Sequence, residues 1–262
     1  MGSEGRFVRK PRFLCLHGFR TSGEIMKIQL HKWPKSVIDR LDLVFLDAPF
    51  PCQGKSDVEG IFDPPYYEWF QFNKEFNEYT NFEKCLEYIE DRMIELGPFD
   101  GLIGFSQGAI LSGGLPGLQA KGIALQKVPK IKFIIIIGGA MFKSTKVAKD
   151  AYSSTMDIRS LHFLGNLMLY SIFVYLVCYY SQCEKIRGLF FAGETDFLKP
   201  YGTELIDSFK NPVVVNHPKG HTVPRLDEKS LEKVTAFIDT IEHLLMEEEV
   251  KFGEEATTNK PE

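Results

Sequence analysis

A chain of 262 residues, 44% hydrophobic and 13% aromatic, is long enough to bury one substantial core and does not require two domains. Its formal net charge of -4 and pI near 5.9, with Lys and Arg scattered along the chain, exclude the basic face that a nucleic-acid partner needs. The five cysteines (Cys15, Cys52, Cys85, Cys178, Cys183) are odd in number and show no CxxC spacing, which argues against a disulfide framework or a zinc site.

The first residues, MGSEGRFVRKPRFLCLHG, contain an early acid and only a four-residue apolar run, so no secretion signal is expected. Position 6 is Arg rather than the Ser or Thr of a myristoylation signal. Reduced thiols and a cytoplasmic location, with the nucleus as a further compartment, are the expectation.

Apolar, β-branched runs alternate with segments of helical period, the signature of an α/β protein with a mostly parallel sheet and crossover helices. The first strand is predicted at Arg12 to Leu16 and the second at Asp42 to Leu46. Between them and the next helix, FDPPYYEWFQFN gathers Tyr66, Tyr67, Trp69 and Phe70 in a stretch without clear period. These rings either cover an apolar substrate group or pack a long loop onto the sheet.

Phe82, Leu86, Ile89 and Met93 then form one helical stripe that stops at Gly97-Pro98. Strands follow at Gly101 to Gly104, at Lys132 to Ile137 and at Pro212 to Asn216. The middle one, KFIIII, reads as covered on both faces. Asp227 to Met246 is predicted to be a closing amphipathic helix, giving a single domain over 1–246 and a disordered acidic tail over 247–262.

Gly104-Phe105-Ser106-Gln107-Gly108 has the form G-x-S-x-G, a weak signal by itself. Here an apolar strand precedes it and GAILSGG follows it, the strand–turn–helix setting of a nucleophile elbow. A serine hydroxyl needs a base to remove its proton, and the base needs a carboxylate to orient it. The expected order is Ser, acid, His. Asp196 in GETD and His221 in HPKGHTVP satisfy it, both at predicted strand ends on the edge that holds Ser106. His217 is a rival base, but Pro218 follows it directly; Glu194 and Asp47 are rival acids. The oxyanion needs two backbone N–H donors: one from Gln107, the other from Phe19 or Arg20 in the loop FLCLHGFRTSG. The set Phe19 and Gln107 is the working assignment.

At LCLHGF, VFLDAP, GFSQGA, GETDFLKP and HPKGHTVPR the chain resembles the FSH family of serine hydrolases, within the α/β-hydrolase fold, with helices on both faces of the sheet. The resemblance implies a cofactor-free and metal-free hydrolase of small-molecule carboxylic esters, with Ser106, Asp196 and His221 as the triad.

One stretch does not fit. Ser160 to Cys183 contains no Asp, Glu, Lys or Arg, yet Leu167 to Tyr180 would span only about 21 Å as a helix, short of a hydrocarbon core of about 30 Å, so no stable membrane span is expected. The flanks explain more: Ile158 to Gly165 (IRSLHFLG) and Ile186 to Gly193 (IRGLFFAG) repeat at an offset of 28 residues. The family pattern has one strand here, so an uncharged insert at about 165–185 is surplus. Gly165-Asn166 can be encoded with a GT splice donor and Phe190 to Gly193 with a pyrimidine tract and an AG acceptor. A short intron translated in frame is the hypothesis, with tandem duplication the alternative. In the protein as written, contiguity with Asp196 predicts that Ile186 to Ala192 takes the strand position. The excursion would be an aggregation hazard. The alternative to an active esterase is a catalytically impaired binding protein of the same fold, its acid loop displaced by the insert.

Overall fold

The computed structural model describes residues 9–165 and 196–258. Strands β1 (Arg12–Leu16), β2 (Asp42–Leu46), β7 (Gly101–Phe105), β8 (Phe133–Ile137), β9 (Arg159–Gly165) and β10 (Val213–His217) form one sheet in the order β10-β9-β8-β7-β1-β2, parallel throughout. Two small antiparallel pairs, β3 (Phe50–Pro51) with β4 (Tyr67–Glu68) and β5 (Gln71–Phe72) with β6 (Tyr79–Thr80), shape the segment between β2 and Phe82.

The helices are α1 (Gly23–Leu30), α2 (Lys35–Ile38), α3 (Phe82–Leu96), α4 (Gln107–Ala120), α5 (Thr145–Ala151), α6 (Lys199–Ile206) and α7 (Glu228–Thr258). Because successive strand residues point to opposite faces, each central strand feeds two cores. Leu14, Leu102, Ile134 and Ile136 face one way and pack with Phe82, Ile89 and Met93 of α3 and Leu111 and Leu115 of α4. Phe13, Ile103, Ile135 and Phe163 face the other way and pack with Met26 and Leu30 of α1 and Val234, Ile238 and Ile241 of α7. Each such fully buried side chain stabilises by about 1.5–3 kcal/mol. All five residues of β8 are buried, which is why that run shows no polar alternation.

Two expectations are corrected. The strand beside β8 is the first copy of the repeat: Arg159–Gly165 pairs with β8 on one side and with β10 on the other, filling the slot that was expected for Ile186 to Ala192. The second copy lies outside the described residues. The short link from α5 favours this outcome, since Met156, three residues before β9, is already pinned to the segment leading into β10 by bonds with Ser208 and Lys210. The second correction is at the end of the chain, where the helix continues past Met246 to Thr258 instead of becoming disordered at 247. Glu and Lys are good helix formers, and ion pairs from Arg9 to Glu249 and from Lys132 to Glu248 hold the added turns.

Among the described residues no helix is long and apolar enough to cross a membrane. The uncharged stretch beyond Gly165 lies outside them.

Candidate active site

Ser106 stands between β7 and α4 with φ 53° and ψ -115°, a left-handed backbone that a non-glycine residue adopts only at a cost of about 1–3 kcal/mol. The two flanking glycines make the turn possible. A Cβ on Gly104 would lie 2.3 Å from the Gly108 carbonyl oxygen, and one on Gly108 would lie 2.0 Å from that of Leu16. With neither present, α4 starts directly against the end of β1, and Gly108 N–H donates to the His17 carbonyl at 3.1 Å.

The three side chains singled out in the sequence come together. His221 Nε2 is 2.9 Å from Ser106 Oγ, and His221 Nδ1 is 3.0 Å from Asp196 Oδ1. Asp196 is 1% exposed; its Oδ1 also accepts Leu198 N–H at 2.9 Å and its Oδ2 accepts Gly165 N–H at 3.4 Å. Burial pushes this carboxyl upward, but the bonds from His221, Leu198 and Gly165 outweigh it and hold the group below the usual carboxylate range. The acid loop is therefore not displaced by the segment before it.

The imidazole is also fixed by packing. Phe105 stacks on it with ring centres 5.1 Å apart, and Phe197, half exposed, leans on it at 4.8 Å. Gly138 has φ +58°, and a Cβ there would come within 2.9 Å of His221 Cε1. Gly138 was visible in the sequence only as part of the Gly-Gly that ends β8; its contact with the histidine needed the fold.

The rivals have other places. His217 ends β10, 5% exposed, and burial lowers its pKa; its Nδ1 has no partner among the described residues. Asp47 is exposed and accepts Gly23 N–H at 2.8 Å, which starts α1. Glu194 lies outside the described residues.

Of the loop aromatics, Trp69 (0% exposed) and Phe70 (2%) are part of the core and do not face a substrate. The physical reason is hydrogen bonding as well as area: Trp69 Nε1 donates to the His17 carbonyl at 2.8 Å, and Phe70 sits among Phe72, Tyr79 and Phe82. Tyr66 and Tyr67 are partly buried; Tyr66 OH donates to the Phe62 carbonyl at 2.5 Å, and Tyr67 N–H to that of Thr21 at 2.7 Å. For Trp69 and Phe70 the loop-packing alternative is the one realised. Phe19, partly exposed, has its ring 4.9 Å from Phe72, on the side where the loop after β1 meets the turn.

The sequence reading missed Glu68. A carboxylate inside YYEWFQF was the available signal, because a charge among so many rings needs a cation, and Arg20 supplies it at 2.7 Å. No group of three or more His, Cys, Asp or Glu placed to hold a metal occurs among the described residues.

Similar sequences are found among serine hydrolases and esterases. The family model described as serine hydrolase (FSH1) matches residues 7–167 and 171–232. The chain is 28% identical over 256 residues to Esterase CG5412 of Drosophila melanogaster, covering 93% of this chain and 79% of that protein. It is 28% identical over 259 residues to Esterase AGAP003155 of Anopheles gambiae, covering 94% and 84%. It is 28% identical over 232 residues to Esterase OVCA2 of Xenopus tropicalis, covering 82% and 87%. Among solved structures, the acyl-protein thioesterase 2 of Zea mays superposes with a TM-score of 0.50 at 15% identity, over 90% of this chain and 97% of that one, a likeness of fold alone. A parallel sheet with helices on both faces, a Gly-flanked serine at the end of β7 and a family match over most of its length identify the chain as a hydrolase of the FSH1 serine hydrolase family, built on the α/β-hydrolase fold.

Proposed function

We propose that the protein hydrolyses small carboxylic esters through an acyl-enzyme on Ser106. The observation that carries this reading is the unbroken line of hydrogen-bond distances from Ser106 Oγ through His221 to Asp196. Ser106 Oγ attacks the ester carbonyl carbon while His221 Nε2 takes its proton, and the cation formed on His221 is stabilised by Asp196. The carbonyl oxygen becomes an oxyanion facing the backbone N–H groups of Phe19 and Gln107. As the first residue of α4, Gln107 has an N–H with no partner inside the helix. Collapse breaks the bond to the alcohol oxygen, which leaves with the proton from His221. Water then repeats the sequence on the acyl group, His221 again acting as base, and the carboxylic acid is released.

Labelling with a fluorophosphonate probe and turnover of p-nitrophenyl esters test this reading. Ser106→Ala is expected to abolish both, and Asp196→Asn to lower kcat by about 10⁴-fold. Undiminished labelling of Ser106→Ala would remove Ser106 from the role of nucleophile. A series of ester chain lengths on the parent protein defines the acyl pocket.

A further inference from the structure

The two amides proposed to hold the oxyanion sit on separate pieces of chain, the loop after β1 and the start of α4, and both must converge on one oxygen atom. One short segment grips both. Tyr67 forms an antiparallel bridge with Thr21, and Trp69 Nε1 donates to the His17 carbonyl.

On the Phe19 side the link is Glu68. Its carboxylate is fully buried and accepts from Arg20 Nε at 2.7 Å, from Gln53 N–H at 3.1 Å and from Gln71 Nε2 at 3.0 Å. The rest of the Arg20 fork donates to the carbonyls of Lys55 at 2.9 Å and Gln53 at 2.6 Å. The guanidinium lies over the Phe19 ring, 4.8 Å from its centre, and Arg20 itself is held at φ 55°. On the Gln107 side the link is a two-point amide pairing: Gln107 Oε1 accepts Trp69 N–H at 3.1 Å, and Gln107 Nε2 donates to the Phe70 carbonyl at 2.7 Å.

We propose that Glu68 to Phe70 is a splint that sets the spacing of the two oxyanion donors, with Glu68 and the side chain of Gln107 as its positioning residues. This rests on the serine esterase reading above. The physical case is that a buried carboxylate is a costly way to pack a loop; an apolar residue of similar volume would do that at least as well. What the ion pair adds is direction, because a guanidinium fork fixed by three acceptors and stacked on a ring leaves little freedom for the residue beside it. Direction matters most where donors must meet a developing charge, since a displacement of about 1 Å in a catalytic group can cost about 100-fold in rate.

The test compares Glu68→Gln, Gln107→Met and Arg20→Lys with the parent on p-nitrophenyl butyrate, each normalised to the number of serines labelled by a fluorophosphonate taken to completion. Glu68→Gln removes the charge and one acceptor oxygen, Gln107→Met removes both amide bonds, and Arg20→Lys replaces the planar fork with a single ammonium, each at similar volume. The expected result is a fall in kcat of about tenfold or more with KM within about twofold, since the lost interaction acts on the transition state. Affinity for an alkylboronic acid, which forms a tetrahedral adduct on the serine, should fall by the same factor. Arg40→Gln, which breaks ion pairs to Asp239 and Glu242 far from the site, is the control for lost stability and should lower Tm without moving kcat. The splint is overturned if kcat per labelled serine is unchanged in the variants, or if boronate affinity stays constant while kcat falls. A parent protein that does not label at Ser106 would instead overturn the esterase reading.

Discussion

Gly165 N–H points at Asp196 Oδ2 from 3.4 Å, although the two residues are 31 positions apart in the chain. A Cβ on Gly165 would lie 2.6 Å from that of Asp196. Asp196 thus lies beside the point where β9 ends.

Removal of 166–193 should therefore be tolerated. It joins Gly165 to Glu194 and leaves two residues to turn back to Asp196, a span that a β-turn closes. The deletion protein is expected to keep kcat/KM within about threefold of the parent, with higher soluble yield and an undiminished Tm. A soluble, folded deletion protein without activity would show that the segment is required. Sequencing of the genomic DNA addresses its origin: GT at the Gly165-Asn166 codons and AG at the Ala192-Gly193 codons are expected, and their absence ends the intron hypothesis in favour of duplication.

Gly138→Ala tests the fit of the histidine. The added methyl must adopt φ +58° and displace an imidazole that it meets at 2.9 Å. The expected outcome is a loss of about 10–100-fold in kcat with a folded protein by circular dichroism; unchanged kcat would mean that His221 has room to move.

His162→Phe should stabilise the protein. His162 is 1% exposed in β9, its ring against Phe209, and its Nε2 has no partner among the described residues; nor has Ser160 Oγ on the same face. The second copy of the repeat carries Phe190 and Gly188 at the matching positions. Exchanging a buried, unpaired polar ring for an apolar one of the same shape is expected to add about 1–3 kcal/mol, read as a higher Tm and urea midpoint. A lower Tm would show that the histidine is satisfied in solution.

Acid should destabilise the fold early. Burial lowers His17 from 6.5 to about 4 and His162 from 6.5 to about 3. Below pH 6.5 the unfolded chain takes up protons at both rings while the folded one stays neutral, so unfolding is favoured progressively as the pH falls toward 4. The depressed Asp196 and Asp100 add to the loss at lower pH, as the unfolded carboxylates protonate first. Denaturation midpoints between pH 7 and pH 4 should fall, and His162→Phe should flatten the slope; identical slopes in the two proteins would rule out His162 as a contributor.

What the residues revealed in advance followed the strength of their patterns. KFIIII could only be a covered strand, and the helical stripe of α3 buried the residues expected of it. The glycines around Ser106 marked the turn because backbone clashes forbid side chains there, a local constraint that leaves a local trace. Asp196 and His221 were singled out by their order after Ser106; the fold sets Asp196 beside the end of β9 and His221 four residues past β10. His217 could be set apart from His221 only weakly until the fold placed one ring in β10 and the other against Ser106.

The choice between the two copies of the repeat was not legible. It depends on how few residues separate each copy from pinned neighbours, and Met156 favours the first copy through bonds to Ser208 and Lys210. Trp69 and Phe70 were equally opaque, because an aromatic residue in an aperiodic stretch can face either a core or a ligand. Glu68 and the side-chain bonds of Gln107 were hidden for another reason, as their partners Arg20 and Trp69 lie 48 and 38 positions away.

The seating of Gly108 against Leu16 has one more effect. It sets the positive end of the 14-residue helix α4 directly behind Ser106, where, on the proposed esterase reading, the ester oxygen gathers charge. Aligned peptide groups act there as about half an elementary charge. That half-charge has no proton to lose and belongs to no side chain, so acid, base and most substitutions leave it in place. A residue larger than glycine at 108 or at 104, by prising the helix off the strand, would turn it away.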